Sequence, residues 1–341
     1  MPIDYAGGYT ASWRLVAVDG PTWLASGALE GVLGGSATVS RDCSDSVPLL
    51  ESAEATLDME PGAAFQGGWH RLEMLAAQGG MTERHMLGVF MFEAGDAEWS
   101  RGRRTFAATG RSVLYPCSEV KLLDGAYAPK GGDGAAYAAA LLASSTPAPV
   151  VVHGSFELGD HIVHGFGDSH LKGAWAVLDA GGWCIRIDGG GTIHIQPLPT
   201  EPAVDISPSD LGSLGQAVKV SQPERPANVY IAVDGADVAV AEDADAIRAD
   251  GRRIEKVDTG PVRVNGETLA AYARRKLAEG RVVQRKCSWT RGFAGDVRPF
   301  DIVRARLASR GLDGDMRIVS QKLTCAQGVS VDETAVMEVT V

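Results

Sequence analysis

Residues 70–110 read HRLEMLAAQGGMTERHMLGVFMFEAGDAEWSRGRRTFAATG, and residues 301–341 read DIVRARLASRGLDGDMRIVSQKLTCAQGVSVDETAVMEVTV. Each is a strand, a glycine-containing turn, a long strand, a polar loop and a final strand, in the same order and with nearly the same lengths. The correspondence is one of pattern, with apolar residues recurring at alternate positions as on a chain that buries one face. A pattern that returns at the far end of a chain points to a duplicated unit. Residues 60–112 and 298–341 are therefore expected to be equivalent parts of two β-barrels.

Working outward, the N-terminal part is a series of alternating runs: WRLVAV (13–18), SATVSR (36–41), EATLDME (54–60), HRLEMLA (70–76), ERHMLGVFMFEA (83–94) and RRTFAATG (103–110). These read as strands separated by turn residues, with Gly79 and Gly80 in a hairpin turn and EAGDAEWSRGRR (93–104) as a longer polar connection. Residues 1–115 form the first barrel domain on this reading. The pattern changes at GRSVLYPCSEVKLLDGAYAPKGGDG (110–134). Ala135–Ser145 is alanine-rich with no internal breaker and predicts a helix that Thr146 and Pro147 end. APVVVHGSFELGDHIVHGF (148–166) supplies short strands, and DSHLKGAWAVLDAGG (168–182) a helix capped by Asp168 or Ser169.

The next stretch, WAVLDAGGWCIRIDGGGTIHIQP (175–197), has glycines at both of its turns. A phosphate loop needs a strand, then glycines, then a helix whose N-terminus faces the anion. Here the order is reversed: helix, Gly181-Gly182 stop, and a hairpin with Ile185, Ile187, Ile193 and Ile195 on one face. The glycines at 181, 182, 189 and 190 are expected to serve backbone geometry, with positive φ in the hairpin bend. Residues 116–200 are thus an α+β module. PLPTEPAVDISPSDLGSLG (197–215), with four prolines, reads as a connector. Beyond it come a hairpin bending at Asp234-Gly235 in ANVYIAVDGADVAVAED (227–243) and an amphipathic helix in NGETLAAYARRKLAEG (265–280), with Gly280 as its stop. Four more strands follow: VVQRKCSWTRGF (282–293), FDIVRARLAS (300–309), GDMRIVSQKLTCA (314–326) and ETAVMEVTV (333–341). Residues 201–341 become the second barrel domain with a flanking helix. The fold class is mainly β with an α+β insertion.

Charge and cysteine usage narrow the function. Against 32 Lys and Arg stand 43 Asp and Glu, a formal net charge of −11, which opposes gripping a phosphate backbone. The basic exceptions, RGRRT (101–105) and WTRGFAGDVRPFD (289–301), are expected to dress a loop or a subunit contact. Cys43, Cys117, Cys184, Cys287 and Cys325 are scattered with no CxxC pair, and read as buried or idle thiols. No run approaches 18 apolar residues, and MPIDYAGGYTASWRL lacks the basic and apolar parts of a secretory signal, so neither a membrane span nor export is expected.

Candidate chemistry is sparse. His153, His161, His164 and His170 crowd together with Asp160 and Asp168, but on an extended strand residues 161 and 164 point to opposite faces, which spoils them as joint metal ligands. No G-x-S-x-G elbow occurs. Acidic pairs in DMEPG (Asp58, Glu60), AEDADAIRAD (Glu242, Asp243, Asp245) and SRDCSD (40–45) could each be drawn as a glycosidase dyad, yet among 43 acids such pairs arise freely and read as solvated turns. No residue is assigned a catalytic, cofactor-binding or metal-binding role.

The helix, Gly-Gly and hairpin unit at 175–197 resembles a feature of phage tail-hub proteins, in which an AW-VL helix runs into GG-C-I-ID-G--I-I-P. GRSVLYP (110–116), NGETLAAYARRKL (265–277) and PFDIVRARLASRGLDGDMRIVSQKLTCAQG (299–328) are similar to the same family of baseplate-hub and tail-associated proteins, so the resemblance covers essentially the whole chain. It implies two similar barrels flanking α+β modules and assembly as a homotrimer whose six barrels make a pseudo-sixfold ring. It implies further a virion-tail location after assembly in the bacterial cytoplasm, and contacts with a distal-tail or tube protein and a tip or spike protein. A channel that passes DNA or a tape-measure protein without specific binding, lined mainly by acids, belongs to the same expectation. Many such hubs carry a C-terminal fibre or peptidoglycan hydrolase. This chain stops at Val341, so no enzymatic activity is expected. The rival expectations are a cell-wall or carbohydrate hydrolase using an acidic pair, and a monomeric β-type binding adaptor.

Overall fold

The computed structural model of the protein describes residues 3, 5, 8–43, 49–60, 62–63, 65–100, 103–211, 218–221, 225–259, 261, 267–280, 282–293, 297–325 and 329–340. The chain is mainly β and divides into two compact units, residues 1–218 with 288–335 and residues 219–287 with 336–341.

The first unit begins with β1 (Thr10–Val18), β2 (Ala25–Ala28), β3 (Val32–Asp42), β4 (Leu50–Met59), β5 (Gly68–Gln78), β6 (Met81–Ser100) and β7 (Arg103–Ser112). Alternation in sequence becomes alternation in burial: along β4, Glu51, Ala53, Ala55, Leu57 and Met59 are buried while the residues between them face outward. Strands β5, β6 and β7 form an antiparallel meander, with Gln78 opposite Met81 across Gly79 and Gly80, whose φ values are 58° and 83°. Residues 93–100 and 103–104 are not the polar connection that their composition suggested. They extend β6 to Ser100 and open β7, with Glu98 opposite Thr105 and Trp99 opposite Arg104. Polar side chains do not end a strand whose backbone groups stay paired. The register shifts between Ala94 and Ala97, where a Cβ on Gly95 would press on the Ala107 carbonyl oxygen at 2.5 Å.

The α+β module follows with α1 (Tyr115–Glu119), β8 (Tyr127–Ala128), α2 (Gly134–Ala143), β9 (Val150–Val152), β10 (Ile162–Val163), α3 (His170–Gly181), β11 (Trp183–Ile187) and β12 (Ile193–Pro197). Helix α2 starts where the Asp133 carboxylate accepts from the N–H groups of Ala135 and Ala136. Helix α3 starts at Ser169, whose Oγ accepts from the Lys172 N–H, while Asp168 accepts instead from the Gly165 N–H and the Lys172 ammonium. Strands β11 and β12 pair as a hairpin, and β9 runs parallel to β12 on its other edge. Ala138, Leu142, Ala174 and Leu178 of the helices share one core with Ile185, Ile187, Ile193 and Ile195.

The glycines of this hairpin work differently from expectation. Positive φ occurs at Gly182 (69°) and Gly191 (81°), not at Gly189 or Gly190. Gly189 is needed for close approach, since a Cβ there would collide with the Met86 backbone carbonyl, and one on Gly181 would enter the Phe156 ring. The region 197–215 is also more than a connector. It contains β13 (Pro202–Ile206), parallel to β19 below; Pro202 is tolerated as the first residue of the strand. Residues 212–215 lie outside the described residues.

The second unit holds β14 (Lys219–Val220), β15 (Val229–Asp234), β16 (Asp237–Glu242), α4 (Ala244–Asp250), β17 (Glu255–Asp258) and α5 (Leu269–Glu279). Strands β15 and β16 are the expected hairpin, and β17 runs parallel to β15. The acids at 242–245, read as a solvated turn, open a helix: Asp243 accepts from the N–H groups of Asp245 and Ala246. Helix α5 packs Tyr272, Ala273 and Leu277 on Tyr230, Ala232 and Ala241. Gly280 ends it with φ −66°, so no left-handed stop is used. Asn265 and Gly266 of the same motif lie outside the described residues.

Strand β18 (Val282–Gly292) begins in the second unit and ends in the first, which also holds β19 (Ile302–Leu307), β20 (Leu312–Cys325) and β21 (Val329–Thr340) as far as Ala335. Strand β20 neighbours β21 and pairs with β19, a meander in the same order as β5, β6 and β7. The first half of β20 pairs with β19 and its second half with β3, from Ser320 opposite Asp42 to Cys325 opposite Ala37. Both meanders therefore belong to one hydrogen-bonded sheet, β18-β21-β20-β3-β4-β7-β6-β5-β1-β2.

Two measurements check this packing. Gly189→Ala is expected to lower stability by about 1–3 kcal/mol through overpacking against Met86, whereas Gly190→Ala meets only Asp188 Oδ1 at 3.3 Å and stays near wild type in urea denaturation. All five cysteines are free and buried, and burial pushes Cys43, Cys117 and Cys184 up to about 12 and Cys325 up to about 11. The native protein is expected to leave all five unreacted toward a chromogenic disulfide reagent at pH 8, and to release five equivalents once unfolded.

Candidate functional site

Where β3 meets β20, the core face of the sheet is not wholly apolar. On β3, Arg41 follows Ala37 and Val39 on the buried side; on β4, Glu51 shares it with Ala53; on β20, Gln321 shares it with Leu323 and Cys325. On β18 and β21 the same parity buries Arg291 beside Trp289 and Cys287, and Glu333 beside Val331 and Ala335. Arg41 donates from Nε to Glu51 Oε1 and from Nη1 to Gln321 Oε1 at 2.7 Å, while its Nη2 donates to the Leu87 carbonyl. Gln321 Nε2 donates to Glu333 Oε1 at 3.0 Å and to the Val297 carbonyl. Glu333 also accepts two bonds of 2.7 Å from Arg291 and one of 2.8 Å from Trp289 Nε1. The result is a buried chain of charge-assisted bonds from β4 through β3, β20 and β21 to β18.

Two further arginines carry the chain toward the α+β module. Arg298 donates to the Ile187 carbonyl at 2.9 Å, and its Nη1 lies 3.9 Å from Glu51 Oε1. Arg186 on β11 grips both oxygens of Asp301. Arg291 and Arg298 come from the stretch expected to dress a loop or a subunit contact, of which residues 294–296 lie outside the described residues. Both are instead buried, because strand parity and the Glu333 carboxylate for Arg291, and the Ile187 carbonyl for Arg298, outweigh their average preference for solvent. Of RGRRT, residues 101 and 102 lie outside the described residues, and Arg104 stacks over Phe106.

The outer face of the same strands has another character. Lys322, Ser40, Ser52 and Arg111 stand in one row across β20, β3, β4 and β7, and Thr324, Thr38, Glu54 and Thr109 in the next. Above the first row a groove of about 520 Å3 opens between the sheet and α1, walled by Leu49, Leu114, Tyr115 and Leu171. In the second unit, Val238 and Val240 on β16 and Val257 on β17 line the sheet face opposite α5 and stay 52–60% exposed. In the α+β module, Leu123, Val163 and Phe166 are 76–87% exposed.

The sequence-selected histidines and acids are dispersed. His161 Nδ1 accepts from the Lys130 N–H, His164 Nε2 meets the Tyr137 hydroxyl, His170 meets Ser145 Oγ, and His153 meets His194. Burial holds His164 below the usual imidazole range. Asp160 pairs with Lys130 and Asp168 with Lys172. Among the described residues no three His, Cys, Asp or Glu side chains converge as a metal site. Asp58 accepts from Thr105, Glu242 pairs with Arg253 and Asp245 with Arg248, while Glu60 is exposed; in SRDCSD, Ser44 and Asp45 lie outside the described residues.

The architecture is one already seen. Over 97% of both chains the protein matches the tail protein from Neisseria meningitidis MC58, with a TM-score of 0.63 at 14% identity. The chain has the fold of phage and prophage tail proteins. The 43 kDa tail protein of prophage MuSo2 from Shewanella oneidensis matches over 95% of this chain and 97% of its own (TM-score 0.60, 14% identity). Prophage tail protein gp18 from Listeria monocytogenes EGD-e matches over 95% and 94% (TM-score 0.53, 12% identity). No protein-family model and no curated protein matches the sequence. At this identity the tail-protein fold is kept by pattern, and the buried ionic chain is a property of these residues.

Glu333→Ala strands Arg291 and the Trp289 N–H in the core and is expected to cost about 3–5 kcal/mol in urea denaturation. The double variant Arg291→Met with Glu333→Leu removes both charges and is expected to lose less than Glu333→Ala alone.

Proposed function

We propose that the protein is a structural hub of a phage- or prophage-derived tail, a trimeric adaptor that joins the tail tube to the tip or spike. The observation that carries this reading is the tail-protein fold spanning 97% of both chains compared. On this reading residues 1–115 and 201–341 are the two barrel-bearing parts and 116–200 the α+β module between them. Three chains bring six meanders around an axis, which matches a threefold spike to a sixfold tube. The exposed valines of the second unit, and Leu123, Val163 and Phe166 of the module, are the kind of surface that assembly covers. The partners are other tail proteins and further copies of the chain, in the virion tail after assembly in the host cytoplasm. The ring encloses a channel that passes DNA or a tape-measure protein without gripping it, in keeping with a net charge of −11 per chain. The role is mechanical rather than enzymatic, a reading supported by one of the three acidic sets that could be drawn as a hydrolytic dyad: Glu242 and Asp245 are tied to arginines and Asp243 caps a helix.

Light scattering on the purified chain eluting from a size-exclusion column is expected to give three times the chain mass. A monomer at tens of micromolar would overturn the trimeric hub and favour a monomeric adaptor.

A further inference from the structure

We propose that the groove on the outer face of β20, β3, β4 and β7 is a docking site for an acidic segment of a partner polypeptide, one that carries an apolar or aromatic side chain between its carboxylates. The proposal concerns this groove alone and stands whether or not the chain is a hub.

The register places the groove's charges. Lys322 faces Ser40, Ser40 faces Ser52, and Ser52 faces Arg111, so the floor is a row of cation, hydroxyl, hydroxyl, cation across four adjacent strands. Three strand spacings separate the two cations, about 14 Å from backbone to backbone. An extended segment lying across the row would bring carboxylates to both ends and backbone groups over the two serines. Lys322 is exposed, and its side chain makes no hydrogen bond or ion pair among the described residues. Arg111 stacks on the Tyr115 ring at 4.3 Å and lies 3.5 Å from Glu93, itself more than half exposed, so its charge is only partly met. Between the cations the walls are apolar, from Leu49, Leu114, Tyr115 and Leu171, and about 520 Å3 is room for one large side chain.

Opposing charge is accounted for. Asp42 also lines the groove, exposed in the neighbouring row opposite Leu50, so one outward carboxylate stands beside the two cations. Glu51 borders the groove but faces the core, where Arg41 holds one of its oxygens. In a chain of net charge −11, an outer sheet face with cations at both ends of an apolar trough is the exception, and its complement is an acidic partner with an apolar centre.

The test uses anilinonaphthalene sulfonate, an aromatic anion small enough for the trough, titrated by fluorescence into the full-length protein. Saturable binding is expected. Lys322→Glu is expected to weaken it at least about tenfold, and Ser52→Trp, which fills the floor from an exposed position, to abolish it; circular dichroism and melting confirm that both variants remain folded. The peptide acetyl-Glu-Phe-Leu-Glu-amide is expected to displace the probe, and acetyl-Lys-Phe-Leu-Lys-amide is not. Binding untouched by both substitutions, or equal displacement by the two peptides, would overturn the proposal.

Discussion

The hydrogen bonds from Arg41 to Glu51 and Gln321, and from Gln321 through Glu333 to Arg291, are the interaction on which the first unit depends. They lie where the second half of β20 runs along β3, so a contact between residues 280 positions apart closes the N-terminal strands onto the C-terminal ones. Backbone pairing alone would accept several registers there. A slip of one residue in β3 would carry Arg41 to the outer face and take away the arginine that Glu51 and Gln321 share. Stranding a buried carboxylate costs several kcal/mol, far more than one misplaced apolar contact. The ionic chain thus selects the register more than it adds to stability, and Glu51 Oε2, buried without a hydrogen-bond partner, adds to the cost of the arrangement.

From that register the rest of the unit is placed. Strand β20 pairs with β19 over one half and with β3 over the other, and β3 leads through β4 to β7, so the two three-stranded groups are joined in one sheet. The α+β module is held to the sheet by the same means. Arg298 reaches the Ile187 carbonyl, Arg186 reaches Asp301, the Trp23 indole donates to the Gly190 carbonyl, and Gly189 leaves no Cβ between the hairpin and Met86. Sheet and module are therefore joined by hydrogen bonds, an ion pair and close packing.

The two sides of the β20-β3-β4-β7 sheet divide the work. Inside, apolar side chains surround an ionic chain excluded from water. Outside, serines and threonines alternate with a few charges, a surface that remains hydrated. The groove against α1 adds to that face apolar walls with a cation at each end.

Strand existence, the two meanders, the α+β module and the capped helices were legible in the sequence, because each rests on side-chain periodicity or on a local cap: period two in EATLDME, the break-free alanines at 135–143, Ser169 before α3. The resemblance to tail hubs was carried by the same patterns. Extents were less legible. EAGDAEWSRGRR and PAVDI look like loops until a partner strand pairs their backbones, and that partner is distant in sequence or hidden by polar composition. The acids at 242–245 looked like a turn because capping depends on whether a helix follows. For the candidate site, the sequence determined parity, and parity alone put Arg41, Glu51, Arg291, Gln321 and Glu333 on the core face. It did not determine that they meet. Their contacts, the row from Lys322 to Arg111 and the fit of Gly189 on Met86 depend on the register of strands joined by no short turn, and that register is chosen by whole-chain packing and by the cost of leaving a buried charge alone.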